Sequence, residues 1–115
     1  MKELMDKEIA AIVHEYIFLS LARKVLERDK DKIKQSEVKI KTPYIELIDE
    51  KIIQLSKDLR DVKVEMNKKG IKIHKVNELR YSVHYKGYQR EVGYMGYAMR
   101  TYVEEIMKRY FLQKN

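Results

Sequence analysis

The chain reads as a small α+β domain of order α-α-β-β-α: a long antiparallel helical hairpin, a two-stranded β-hairpin and a C-terminal helix. Three observations carry that reading. Apolar residues recur at steps of three and four over two long stretches, about residues 2–28 and 43–69. The period then drops to two over about residues 71–86. Helical spacing returns over about residues 94–112. At 115 residues the chain has the length of one domain, since domains typically run to about 100–150 residues.

In the first helix, about Lys2 to Arg28, a seam runs through Met5, Ile9, Ile12, Tyr16 and Leu19 and on past Arg23 to Leu26. A second set, Val13, Ile17, Leu21 and Val25, lies beside it, with Phe18 adding to the width. So wide an apolar arc calls for contact with more than one element. Arg23 is expected to snorkel near the helix end, and His14, beside Glu15, to be solvated or hydrogen-bonded.

Residues 29–41 read as a charged connector, with five lysines against Asp31 and Glu37 after Asp29. Thr42 suits an N-cap and Pro43 the first helical position, where a missing N–H costs nothing. Ile45, Ile48, Ile52, Leu55, Leu59, Val62 and Met66 then form the seam of the second helix. Lys68, Lys69 and Gly70 end it, with cations in the last turn and glycine where a left-handed residue is wanted. Pairing of the two seams within one chain gives a helical hairpin, and pairing between chains gives a dimer, so monomer and homodimer both stand.

Beyond Gly70, Ile71 and Ile73 alternate with Lys72 and His74, and Leu79, Tyr81, Val83 and Tyr85 with Arg80, Ser82, His84 and Lys86. Directly paired residues share a face, so Ile73 should oppose Tyr81 or Val83, which leaves an odd-numbered loop of three residues around Asn77 and Glu78, with or without a bulge. Gly87 is expected to end the second strand. The last helix presents Met95, Met99, Tyr102, Val103, Ile106 and Tyr110 as its apolar face, with Gly96 available for close approach to a neighbouring element.

Charge and composition bound the function. The net charge is +7, of which +5 lies in residues 71–115 and +3 in residues 30–42. No cysteine is present, so disulfide and thiol chemistry are excluded and the cytoplasm is the default compartment. The apolar stretch from Ile9 to Leu26 is broken by His14, Glu15, Arg23 and Lys24, which excludes a membrane span, and the N-terminus lacks the pattern of a signal peptide. Three histidines without ligand spacing and no paired-carboxylate motif imply no catalytic residues, no metal site and no cofactor. His74 and His84 are placed to approach one another across the hairpin, with Glu91 nearby.

Seven of the nine tyrosines fall between Leu79 and Tyr110, interleaved with Arg and Lys. Tyr81, Tyr85, Tyr102 and Tyr110 follow apolar faces and read as core. Lys86, Tyr88, Arg90, Tyr94, Tyr97 and Arg100, around the glycines, remain as candidate contact residues for a protein partner, since tyrosine and arginine anchor interfaces. The alternative partner is nucleic acid, bound through the same basic, tyrosine-rich region with help from Lys39, Lys41, Lys72 and Lys86.

Thr42-Pro43-Tyr44-Ile45 opening a long helix, Lys69-Gly70-Ile71-Lys72, and the Tyr85-Lys86-Gly87-Tyr88 turn together resemble small proteins carried by phages and prophages of Gram-positive bacteria. The resemblance implies an accessory protein of a mobile element; the protein partner expected of the chain could then be a host factor. It implies no activity and no site residue.

Overall fold

The computed structural model describes residues 7–113. Six elements follow in chain order: α1 (Lys7–Gln35), α2 (Thr42–Lys69), β1 (Lys72–Asn77), β2 (Arg80–Tyr85), β3 (Tyr88–Gly93) and α3 (Gly96–Phe111). The expected start of the first helix, including Met5, lies outside the described residues. Its end is seven residues later than the charge pattern suggests. Asp29 to Gln35 stays helical because Ile33 extends the heptad Ile12, Leu19, Leu26 and packs against the core. Lys30, within the same stretch, reaches Asp49 of α2 at 2.6 Å. Ser36 closes the helix, its hydroxyl donating to the Ile33 carbonyl at 2.7 Å. The connector therefore shrinks to residues 36–41.

α1 and α2 pair antiparallel within the chain. Arg23 donates to Ser56 Oγ at 3.4 Å from mid-helix, not from a helix end, and Lys69 meets Glu8 at 3.3 Å at the far end of the pair. Leu19, Leu26, Leu55 and Leu59 lie buried in the seam. Lys41, not Thr42, is the residue at the α2 cap, and no side chain caps it. The other end is as expected. Gly70 takes φ +71, the Ile71 N–H reaches the Met66 carbonyl at 2.9 Å and the Gly70 N–H reaches Asn67 at 3.2 Å. That is the Schellman pattern, completed by apolar burial of Ile71 and Met66.

The sheet corrects the two-stranded expectation: it has three antiparallel strands in the order β1-β2-β3. Ile73 opposes Val83, and a bulge between Lys75 and Asn77 keeps that parity ahead of the Glu78-Leu79 turn. Leu79 occupies that turn rather than the apolar face, its N–H bonded to Asn77 Oδ1 at 2.9 Å. Lys86 and Gly87 end the second strand as expected, but a third strand follows them. They are the two central residues of a second hairpin, at φ +53 and +78, and Tyr85 pairs with Tyr88 across it. Positive φ at both positions is the requirement of a type I′ turn, which asparagine meets more cheaply than lysine. Lys86→Asn is therefore expected to stabilise the fold by about 0.5–1 kcal/mol, read as a rise in the urea midpoint at unchanged slope.

Tyr81 and Val83 turn one sheet face to the helices and are buried there. β1 and β3 are the edges, and β3 is exposed along most of its length. The core gathers Ile9, Val13, Ile17, Phe18, Leu55, Leu59, Ile71, Val83, Ile106 and Tyr110 into one cluster. α3 is held from two sides. Arg109, itself exposed, donates from Nη1 to Glu15 Oε2 of α1 at 2.8 Å, and Tyr110 donates its hydroxyl to Asp58 of α2.

Candidate functional site, a groove between the first and last helices

α1 is 29 residues long and α3 is 16, so α3 covers only part of the length of α1. Val13 and Ile17 are buried, whereas Leu21 and Val25 of the same set are only half-buried. Those two side chains form one wall of an open groove of about 670 Å³. Met99, Val103, Met107 and Phe111 of α3 line the other, with Glu78 at one end. A second hollow of about 480 Å³ continues it past Leu26, Ile33 and Val38, sharing Met107 and Phe111. The polar residues on the groove are Arg100, Glu104 and Lys108 along α3, Asp29 and Lys32 on α1, Ser36 just after it, and Glu78, so its three cations and three carboxylates balance. Glu104 and Lys108 pair with one another at 3.4 Å. The apolar arc of the first helix and the methionines at helical spacing are the sequence signals of this groove. Phe111 gave none.

The six candidate contact residues do not form one surface. Tyr94 belongs to the interior: its ring meets Phe18 edge-on at 5.0 Å, and Phe18 is 0% exposed. Burial pushes the Tyr94 phenol up to about 12. Lys86 sits in the β2–β3 turn with its ammonium 5.3 Å from the Tyr85 ring centre. Tyr88, 65% exposed, and Arg90 lie on the open β3 strand. Tyr97, 66% exposed, opens α3, and of the six Arg100 alone lines the groove. Gly96 makes no close approach either, because a side chain there would meet nothing within 4 Å. The basic residues assigned to nucleic acid are also divided. Lys39 and Lys41 precede α2 and Lys72 and Lys86 follow it, and 28 helical residues span about 42 Å.

His14 is corrected from a solvated or hydrogen-bonded position to a packed one. Its ring lies 4.7 Å from both Phe18 and Tyr102, with Tyr94 at 6.2 Å. Burial lowers its pKa from the ordinary value of 6.5, against the opposing pull of Glu15 and Glu105. The unfolded chain therefore binds this proton more tightly, and stability should be full above about pH 6.5 and fall as pH drops below it. Thermal melts between pH 7.5 and 5 should show that fall, and in His14→Phe the fall should be smaller. An identical slope in the variant would remove His14 as its cause.

On the outward sheet face the His74 and His84 rings meet at 5.4 Å, as expected. Ser82 beneath them is 6% exposed and satisfied: it accepts from Gln89 Nε2 at 3.0 Å and lies 3.3 Å from His84 Nε2. Glu91, the third member of that group, is engaged by Arg80 at 3.0 Å. No helix among the described residues is long and apolar enough to cross a membrane.

Residues 4–115 match the YhjD protein family. The chain belongs to that family. It is 29% identical over 110 residues to a Bacillus subtilis (strain 168) relative named uncharacterized protein YhjD, with 92% of each chain covered. Neither name refers to a phage or a prophage. No solved structure matches the chain.

Proposed function

We propose that this YhjD-family chain is a small non-catalytic accessory protein of the cytoplasm that acts by binding a protein partner, and that the partner docks in the α1–α3 groove. One observation carries the reading: Leu21, Val25, Val103, Met107 and Phe111 present a continuous apolar strip to solvent between two helices. Contiguous apolar surface rimmed by polar groups is what interaction sites look like, whereas scattered exposed apolar residues are ordinary. Arg100 stands on its rim, and Tyr97 and Met95 extend exposed apolar surface beyond the α3 N-terminus.

The reading is tested by affinity capture from nuclease-treated lysate, comparing the wild-type chain with Val103→Asp. A stoichiometric partner held by the wild type and lost with the variant is expected. A partner held equally by both would move the site elsewhere. Capture that disappears with nuclease and weakens steeply with salt would favour the nucleic-acid alternative instead.

A further inference from the structure

We infer that the β3 edge takes up an extended segment of a partner protein as a fourth strand, with a carboxylate of that segment opposite Arg90. The inference goes beyond the groove and stands independently of it. Two candidate contact residues that the groove leaves out, Tyr88 and Arg90, lie on this strand.

The backbone selects the kind of occupant. Tyr85 and Tyr88 close a two-residue turn and so form a hydrogen-bonded pair, and such pairs recur at every second residue. Further along, the Tyr94 N–H reaches the Leu79 carbonyl at 2.9 Å in the same phase. Tyr88, Arg90 and Val92 therefore direct their N–H and C=O groups to β2, and those of Gln89, Glu91 and Gly93 point out of the sheet. β3 is an outer strand, exposed at five of its six residues. A row of outward donors and acceptors at every second residue is matched by another extended backbone. A helix does not match it, because its own groups are already bonded.

The side chains then select the sequence. Joining two copies of β3 side by side takes a two-fold axis normal to the sheet, which pairs residues whose numbers have the same parity. The two registers of longest overlap set Arg90 on Arg90 or Glu91 on Glu91. Like charges directly opposite are destabilising, so a second copy fits poorly. Arg90 is exposed and has no ion-pair partner among the described residues, whereas Glu91, on the opposite sheet face, is held by Arg80 at 3.0 Å. Arg90 shares its face with Tyr88 and Val92, two residues to either side, and all three lie on the side of Val83 that meets the helices. Tyr88 and Arg90 are exposed there, so the helices leave room beside them. Directly opposite residues share a face, so the fitting segment reads apolar-x-acid-x-apolar. That pattern is the same in both directions and serves a parallel or an antiparallel strand.

The test uses the full chain and a capped, fluorescein-labelled peptide of about ten residues, roughly 33 Å when extended, with the core Val-Thr-Glu-Thr-Val. Two twins carry N-methyl groups on alternate amides, one on Glu and both Val, the other on the two Thr. Fluorescence anisotropy should show saturable binding of the parent peptide. One methylated twin should bind at least about tenfold more weakly and the other nearly as well, because only alternate amides face the edge. An antiparallel strand loses with the Thr set and a parallel one with the Glu and Val set. Exchanging the Glu for Lys should weaken binding about fivefold, and Arg90→Glu, at an exposed site, should reverse that order. Val103→Asp should leave peptide binding unchanged.

No binding, equal weakening by the two methylated sets, or indifference to the Glu-to-Lys exchange would overturn the inference and leave the groove untouched. Loss of peptide binding in Val103→Asp would overturn it by placing the peptide in the groove. Glu91→Pro removes an outward N–H and no bond to β2. A concentration-dependent dimer in light scattering that Glu91→Pro dissolves would overturn it in favour of a second copy.

Discussion

Phe18→Ala is expected to lower the unfolding free energy by about 3–5 kcal/mol, the range for deleting a buried aromatic ring. Phe18 is fully buried, and its ring is touched by His14 from its own helix and by Tyr94 and Tyr102 from the other end of the chain. Those neighbours hang on three different backbones, α1, the link after β3, and α3, so collapse onto the vacated space requires all three to shift together. The upper half of the range follows from that rigidity. Urea unfolding followed by circular dichroism measures it, and the near-ultraviolet signal of the tyrosines should weaken in the folded variant. A loss below about 1 kcal/mol would mean that the cluster is not packed as described.

Tyr110 is the second large term, and two variants divide it. Tyr110→Ala removes a buried ring and should cost about 3–5 kcal/mol. Tyr110→Phe keeps the ring and removes only the hydroxyl that donates to Asp58. Hydrogen bonds to charged groups contribute about 1.5–3 kcal/mol, and the exposed Asp58 carboxylate can regain water, so the low end applies. Burial first, and then the bond to Asp58, hold the Tyr110 phenol well above its ordinary value of 10, with Arg109 opposing and Glu15 reinforcing. A phenol with a raised folded pKa gives stability that is full below about pH 10 and lost as pH climbs above it. Tyr110→Phe should therefore flatten the alkaline limb of the stability curve. Tyr94, shifted the same way, should keep that limb from vanishing.

Both long helices were legible because their seams repeat at helical spacing, and the Lys-Lys-Gly ending of α2 names its own stop. The C-terminal end of α1 was not legible. Asp29 to Lys34 has the composition of a solvated linker, and only Ile33 reports that one face is still packed. β3 was lost for a related reason. Tyr88 and Val92 are its only large apolar residues, too few to write an alternating pattern, and its turn is Lys-Gly where Asn-Gly would have announced it. Tyr94 was misplaced because Gly93 and Gly96 flank it and make the segment look like an open loop. The groove was half legible. The excess apolar width of the first helix was visible at Leu21 and Val25, but how far a shorter helix leaves that width uncovered depends on how it crosses, which periodicity does not encode.

The third strand makes the two rims of the sheet chemically unequal. β1 carries Lys72 and Lys75 and is broken by the bulge before Asn77, features that discourage further pairing. β3 runs Tyr88-Gln89-Arg90-Glu91-Val92-Gly93 with no lysine, no proline and no bulge. Arg90 and Glu91 are its only charges, so of the two flanks β3 is the less guarded, and a strand added to the sheet would meet less resistance there.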